Sequence, residues 1–220
     1  MDEALRRSAA HVLVDDVATP LLDDAARHHL RRVLRLRDGV VVTVTDGAGA
    51  WRPCRLAPGG IEPDGDVAVT SRPRPITVAV APPKGDRLEW LVQKCTEVGV
   101  ARLVLVDAER SVVRWDPDRA ATQLDRLRRI AAEAAMQSRR TWLPEVVGPR
   151  PAAEVLPDAA VAEPGGRAVA ARDSCIAVGP EGGWSAAEVA RAGDRVSLGP
   201  NVLRVETAAV VAVTLMVAAS

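Results

Sequence analysis

The chain has 220 residues, 48% of them hydrophobic and 26% charged, a balance that fits one or two globular domains and excludes a low-complexity chain. Its 29 Lys+Arg are matched by 29 Asp+Glu, so the uniformly basic surface of an unspecific nucleic-acid binder is excluded and any such role falls to local patches. With five Trp, no Phe and no Tyr, the core has to be built from Val, Leu, Ile and Ala, and few rings remain for base stacking.

From the N-terminus, residues 11–70 alternate short apolar runs (HVLV, VVVTVT, WRPCRLA, GDVAVT) with turn signals at Asp46-Gly47 and Gly59-Gly60, which predicts a small β-rich domain. One helix interrupts it. The run DDAARHHLRRVLRLRDG places Leu30, Val33, Leu34 and Leu36 on one side and ends at Gly39, a natural stop. Within eleven residues this run carries Arg27, Arg31, Arg32, Arg35 and Arg37 with no acid between them, a candidate RNA-phosphate patch.

The proline-rich stretch SRPRPITVAVAPPKG marks the expected boundary between domains 1–72 and 73–220. Beyond it, ITVAVA, LVLVD, RAVAA, CIAVG and RVSL read as buried strands separated by helical patterns, which implies α/β architecture with a largely parallel sheet. Asp86-x-x-Glu89 offers a capping box for a helix with Leu88, Leu91, Val92 and Cys95 on one face and Gly99 as its stop. A longer helix is predicted over 117–138, with Leu124, Leu127, Ile130 and Ala134 as its buried row, and Ser185-x-x-Glu188 offers a second capping box.

Two loops near the C-terminus carry the chemistry. CIAVG-PEGGW-SAAEV is a strand–loop–helix in which adjacent glycines let backbone approach a ligand, yet it matches neither the dinucleotide nor the triphosphate glycine motif. RVSL-GPNVLRV-ETAAV repeats the arrangement, with Arg204 and Glu206 just before an apolar helix. Taken singly, the first loop reads more readily as a tight turn, and Arg204 with Glu206 equally as a surface ion pair. Cys54, Cys95 and Cys175 are scattered, and His11, His28 and His29 lack ligand spacing, so neither a disulfide framework nor a metal site is expected. With no apolar signal core and no run long enough to span a bilayer, the expected location is cytoplasmic.

Six segments in one order (HHLRRVLRLRDG, KGDRLEWLVQKCTEVGV, ERSVV, EAAMQSRRTWLPEV, VGPEGGWSAAEV and LGPNVLRVETAAV) make the chain resemble the RsmE family, knotted SPOUT-class enzymes that methylate a uridine at N3 in 16S ribosomal RNA with S-adenosylmethionine. The resemblance covers nearly the whole chain. It implies a PUA-like RNA-docking barrel at 1–72, a SPOUT trefoil-knotted α/β domain at 73–220, a homodimer, and the small ribosomal subunit as partner. Asn201 and Val205 depart from the family pattern of a basic residue and a threonine at these places.

On that resemblance the cofactor pocket is assigned to Gly179, Pro180, Glu181, Gly182 and Gly183 of the first loop and to Leu198, Gly199, Asn201, Val202 and Leu203 of the second. Arg204 would steady the uracil oxygens as charge develops, and Glu206 would either orient Arg204 or take the proton. Arg139 and Arg140 join Arg27, Arg31, Arg32 and Arg35 as candidate RNA contacts. The competing readings are a related knotted enzyme acting on another RNA, such as transfer RNA, and a non-catalytic RNA-binding or ribosome-assembly factor.

Overall fold

The computed structural model describes residues 2–219, which divide into two compact units. The first takes the chain up to Pro73 together with Ala135–Leu143; the second takes Arg74–Ala134 and everything from Pro144 onward. In chain order the first unit opens with helix α1 (Glu3–Arg7), strand β1 (His11–Leu13) and helix α2 (Asp24–His28), then strands β2 (Val41–Thr45), β3 (Ala50–Ala57), β4 (Gly60–Pro63) and β5 (Ala68–Val69). β1 lies parallel to β2, while β3 runs antiparallel to β2, β4 and β5. The β3–β4 register, Ala57 opposite Gly60, leaves Pro58-Gly59 as a two-residue turn.

The expected helix over 22–39 is broken up. α2 is five residues long and passes directly into a π-helical turn, His29–Val33, closed by the Leu34 N–H to the His29 carbonyl at 2.9 Å. The wider turn shifts the phase of the apolar row, so only Leu30 is buried while Val33 is 59% and Leu34 41% exposed. Helical geometry ends at Leu34 rather than Gly39, with Arg35 in the left-handed region at φ 53°.

β2 separates two kinds of buried surface. Val42 and Val44 face Leu30, Cys54 and Leu56 in the apolar cluster, whereas the alternate residues Thr43 and Thr45 are buried among polar groups. The Thr43 hydroxyl lies 2.8 Å from His11 Nδ1 and 3.1 Å from the Ser8 hydroxyl, and His11 Nε2 lies 3.2 Å from the Arg140 carbonyl. Because that carbonyl can only accept, Nε2 carries the proton and Nδ1 accepts from Thr43, a neutral imidazole with both nitrogens satisfied. Residues 135–143 also pair with the β2–β3 turn: the Gly49 N–H donates to the Thr141 carbonyl at 2.8 Å and the Leu143 N–H to the Gly47 carbonyl at 2.9 Å. Gly49 has φ 106° and backs onto the Trp142 indole, where a Cβ would fall within 2.6 Å of the ring.

The second unit contains β6 (Thr77–Val80), α3 (Arg87–Val98), β7 (Arg102–Asp107), the body of α4 (Pro117–Gln137), β8 (Glu145–Pro151), α5 (Ala152–Val155), β9 (Ala160–Ala168), β10 (Cys175–Val178), α6 (Ala186–Arg191), β11 (Asp194–Ser197) and α7 (Val205–Ala218). Its six strands form one parallel sheet in the order β11-β9-β10-β6-β7-β8. Along β6, Val78 and Val80 pack on the face covered by α3, α4 and α7, and Ala79 and Ala81 on the face shared with α5 and Trp184. Both faces are covered, which is why the strands read as continuous apolar runs rather than alternating ones.

Two strands escaped the sequence reading. β8 holds Gly148, Pro149 and Pro151, tolerable because it is an edge strand bonded only to β7. β9 begins seven residues before the expected RAVAA segment and contains Pro164-Gly165-Gly166. Here the pairing with β11 jumps from Arg195–Val161 to Val196–Arg167, so residues 162–166 bulge out of the ladder. Of the two expected capping boxes, Ser185–Glu188 is formed, and Asp86 makes no side-chain cap. Asp86 follows Gly85 (φ 67°) and has helical φ and ψ, not the extended geometry a cap requires, and Glu89 pairs with Arg126 at 2.7 Å instead. No helix of the described residues is long and apolar enough to cross a membrane.

Candidate active site

The carboxyl ends of β9, β10 and β11 open onto a cavity of about 430 Å³. Its walls come from the two glycine-rich loops: Gly179, Pro180, Glu181 and Gly183 after β10, and Leu198, Gly199, Asn201, Val202, Leu203 and Arg204 after β11. Loops at the carboxyl ends of parallel strands feed helix N-termini, and here those helices are α6 and α7.

The first loop turns on itself, with the Gly183 N–H donating to the Pro180 carbonyl at 2.8 Å and Gly183 at φ 70°. Open space lies where a Gly183 side chain would begin, so its backbone is bare toward solvent. Gly182 is the exception among the expected pocket residues. The turn rotates it outward against Arg110, whose Cβ stands 3.5 Å from the position a Gly182 Cβ would take, and it does not line the cavity. Gly179 is small for a different reason: the buried Trp184 indole lies against it, 3.0 Å from where a Cβ would be.

The β9 bulge adds Ala162, Glu163 and Pro164 to the wall, and Trp184 adds a buried ring. None of these stood out in the sequence. The available signal was Pro-Gly-Gly inside an apolar run, where glycine marks close backbone approach; a Cβ on Gly166 would come within 2.5 Å of the Val196 backbone.

In the second loop, Gly199 has φ 138° and Val202 is 95% exposed at the tip. Arg204 caps α7 with extended backbone, and its guanidinium is exposed with no hydrogen bond or ion pair among the described residues. It therefore stands free at the cavity rim, beside the positive end of a 14-residue helix. Glu206 is placed otherwise than expected. It neither pairs with Arg204 nor lines the cavity: Oε1 lies 3.8 Å from Arg87 Nε at the start of α3, and Oε2 is buried without a partner. Its position in the first turn of α7 directs it toward α3, against which α7 packs.

The basic residues of the first unit divide sharply. Arg31 is tied inward, donating to the Leu36 carbonyl at 3.2 Å, the Ala57 carbonyl at 2.6 Å, and Asp38. Arg139, left-handed at φ 61°, donates to the carbonyls of Met136 (3.1 Å) and Ser8 (2.9 Å). Burial pulls the Arg140 guanidinium down to about 10. Arg31 and Arg139 hold the unit together and are not available to a phosphate. Arg32, Arg35 and Arg37 are exposed, with no guanidinium partner among the described residues, and Arg27 donates to the Leu22 carbonyl at 3.4 Å and pairs loosely with Asp24 at 3.8 Å. His28 and His29 are exposed beside them. No group of three or more His, Cys, Asp or Glu among the described residues is placed to hold a metal ion.

Comparison with known proteins agrees with this architecture. Residues 70–217 match the RNA methyltransferase domain model, and residues 22–60 the RNA methyltransferase PUA domain model. A ribosomal RNA small subunit methyltransferase E from Synechocystis sp. is 34% identical, the match covering 89% of this chain and 71% of that protein. Its namesake from Bacillus subtilis is 31% identical over 82% of each chain. The crystal structure of the Neisseria gonorrhoeae protein of that name, bound to S-adenosyl methionine, superimposes with a TM-score of 0.79 at 29% identity, covering 94% of this chain and 96% of that one. With a family model spanning residues 70–217 and relatives above 30% identity along most of both chains, this protein belongs to the ribosomal RNA small subunit methyltransferase E family of RNA methyltransferases.

Proposed function

We propose that the protein methylates N3 of a uridine in 16S ribosomal RNA, using S-adenosylmethionine held between the two glycine-rich loops. One observation carries this reading: both loops, which are 20 residues apart in the sequence, line a single cavity with an unpaired arginine at its rim. The cavity's size lies within the roughly 300–1,000 Å³ of small-molecule sites. Its lining also fits the cofactor. Leu198, Val202 and Leu203 supply apolar contact for an adenine, the bare backbone of Gly183 and Gly199 supplies polar groups for its edge, and Glu163 and Glu181 favour a cationic ligand.

The cofactor supplies an activated methyl group, so the protein's part is positioning and charge placement. Arg204 offers a planar fork to the uracil oxygens as N3 loses its proton, assisted by the α7 N-terminus. Because Glu206 lies off the cavity, it serves α3–α7 packing through Arg87 and is not the base. The reading further assigns residues 1–72 to RNA docking and 73–220 to a SPOUT domain with a trefoil knot. It places the protein in the cytoplasm, on the small ribosomal subunit, as a homodimer. For the last point the reading takes the outward side of α7, where Val210 and Val211 are half-buried beside the exposed Thr207, Thr214 and Ala218.

The deciding test incubates the purified protein with S-adenosylmethionine and small subunits lacking the modification, followed by nucleoside mass spectrometry. 3-Methyluridine in 16S RNA is the expected product. A methylated nucleoside only in transfer RNA would move the activity to the other substrate, and S-adenosylmethionine binding without any product would leave a non-catalytic factor.

RNA docking is expected to rest on Arg32, Arg35 and Arg37. Replacing all three by Ala should flatten the slope of log K against log salt by roughly two to three units, about 0.7–0.9 per lost phosphate contact. Arg31→Ala should instead lower the stability of the first unit, because it removes the links to Leu36, Ala57 and Asp38. An unaltered salt slope in the triple variant would remove this patch from the interface.

A further inference from the structure

The outer side of the 179–185 loop is gripped by residues with no role in the cavity itself. Glu188 is only 6% exposed, and its carboxylate accepts from the Ser185 N–H and from the Glu109 N–H, both at 2.8 Å. The neighbouring Arg110 guanidinium donates to the Gly182 carbonyl at 3.1 Å and to the Trp184 carbonyl at 3.4 Å. The segment that supplies these groups is braced in turn. Arg114 donates to the Glu109 carbonyl at 3.2 Å and pairs with Asp107 at 3.2 Å, and the Ser111 hydroxyl accepts the Ala108 N–H at 3.0 Å. Thus the ERSVV segment after β7 binds the loop at both its tip and its exit.

We propose that Arg110 is a positioning residue for the cofactor loop: by bracing the carbonyls of Gly182 and Trp184 from outside, it sets the conformation in which Pro180, Glu181 and Gly183 line the cavity. The loop needs such a brace. It contains three glycines and its own turn is closed by one hydrogen bond, so its unbraced backbone samples many conformations, each of which lowers apparent affinity. One terminal nitrogen of the Arg110 guanidinium makes both bonds and so ties the two carbonyls to a single point outside the loop. The outward rotation of Gly182 has the same cause: a side chain there would meet Arg110, not the ligand.

The role rests on the cofactor reading above, and two measurements separate the two. In the ligand-free protein, hydrogen exchange of the loop amides should be about tenfold faster in Arg110→Ala, with Arg110→Lys intermediate and the β10 amides unchanged. In titrations with S-adenosylmethionine, Arg110→Ala should bind about tenfold more weakly, and KM for the cofactor should rise by more than kcat falls. Unchanged loop exchange in the folded variant would overturn the brace whatever the ligand. Faster exchange with unchanged affinity would overturn the positioning role while leaving the cofactor site intact. A wild-type protein that fails to bind S-adenosylmethionine would overturn the cofactor reading and the positioning role with it.

Discussion

Arg204→Ala is expected to slow methyl transfer by roughly two to three orders of magnitude while changing S-adenosylmethionine affinity far less, as expected for the loss of a donor aimed at developing negative charge. The guanidinium has no internal partner, so its removal breaks nothing within the fold. It stands at the cavity rim on the cap of α7, where helix dipole and side chain both carry positive charge. Such a pairing is unfavourable until an anion arrives, and in the proposed reaction a uracil losing its N3 proton would be that anion. The surface ion pair with Glu206 that the sequence also allowed is not formed, because Glu206 faces Arg87. Arg204→Lys should recover only part of the rate, since it offers a point charge instead of a fork. Single-turnover methylation at saturating cofactor and RNA decides the matter: near wild-type rates in the alanine variant would assign Arg204 to RNA contact or to none.

The second large effect concerns acid stability of the first unit. Burial lowers the pKa of His11 from 6.5 to about 4, with a smaller contribution from the charge of Arg139 and an opposing one from the Arg140 carbonyl. In the unfolded chain the imidazole takes up a proton as pH falls through 6.5; in the folded unit it stays neutral until about pH 4. Between those values the unfolded state binds more protons, so stability is complete above pH 6.5 and declines on acidification by about 3 kcal/mol in total. A protonated Nδ1 would have to donate to Thr43, whose hydroxyl would then turn to the Ser8 hydroxyl at 3.1 Å, so the cost of protonation lies in the buried charge and not in a lost hydrogen bond. Protection of the β2 amides from hydrogen exchange, corrected for intrinsic rates, should fall across this window, and His11→Gln should flatten the fall. An equally steep decline in the variant would exclude His11 as its source.

The contrast between the two capping boxes indicates what was legible in advance. Ser185-x-x-Glu188 and Asp86-x-x-Glu89 have equivalent patterns, but only the first follows a loop that leaves its cap residue extended. Pattern supplies the groups; the preceding backbone decides whether they meet. Periodicity likewise found β6, β7 and β10, buried on both faces, and the edge strand β11, all free of proline, and missed β8 and most of β9, whose prolines and glycines are accommodated by an edge and a bulge. At the site, glycine-rich spacing led to both loops, while Glu163 enters through a register shift that no local pattern encodes. The arginines were the least legible. Arg31 and Arg32 are adjacent and chemically identical, yet one caps carbonyls and the other meets solvent, because the π-helical turn rotates them into different surroundings.

The composition of the first unit also bears on the order of events during synthesis. Its sheet is translated first, but the strip that closes the β2–β3 turn and supplies the carbonyl for His11 is not complete until residue 143 has emerged. Until then Thr141, Trp142 and Leu143 are missing from beside Gly47 and Gly49, and the polar side of β2 lacks its cover. Domains generally mature in the order they leave the ribosome. Here the leading one must wait for Arg74–Ala134 of the following one, 61 residues, and then for its own last strip, so its sheet stays open until residue 143 has been added, and the long sequence separation of these contacts slows their closure.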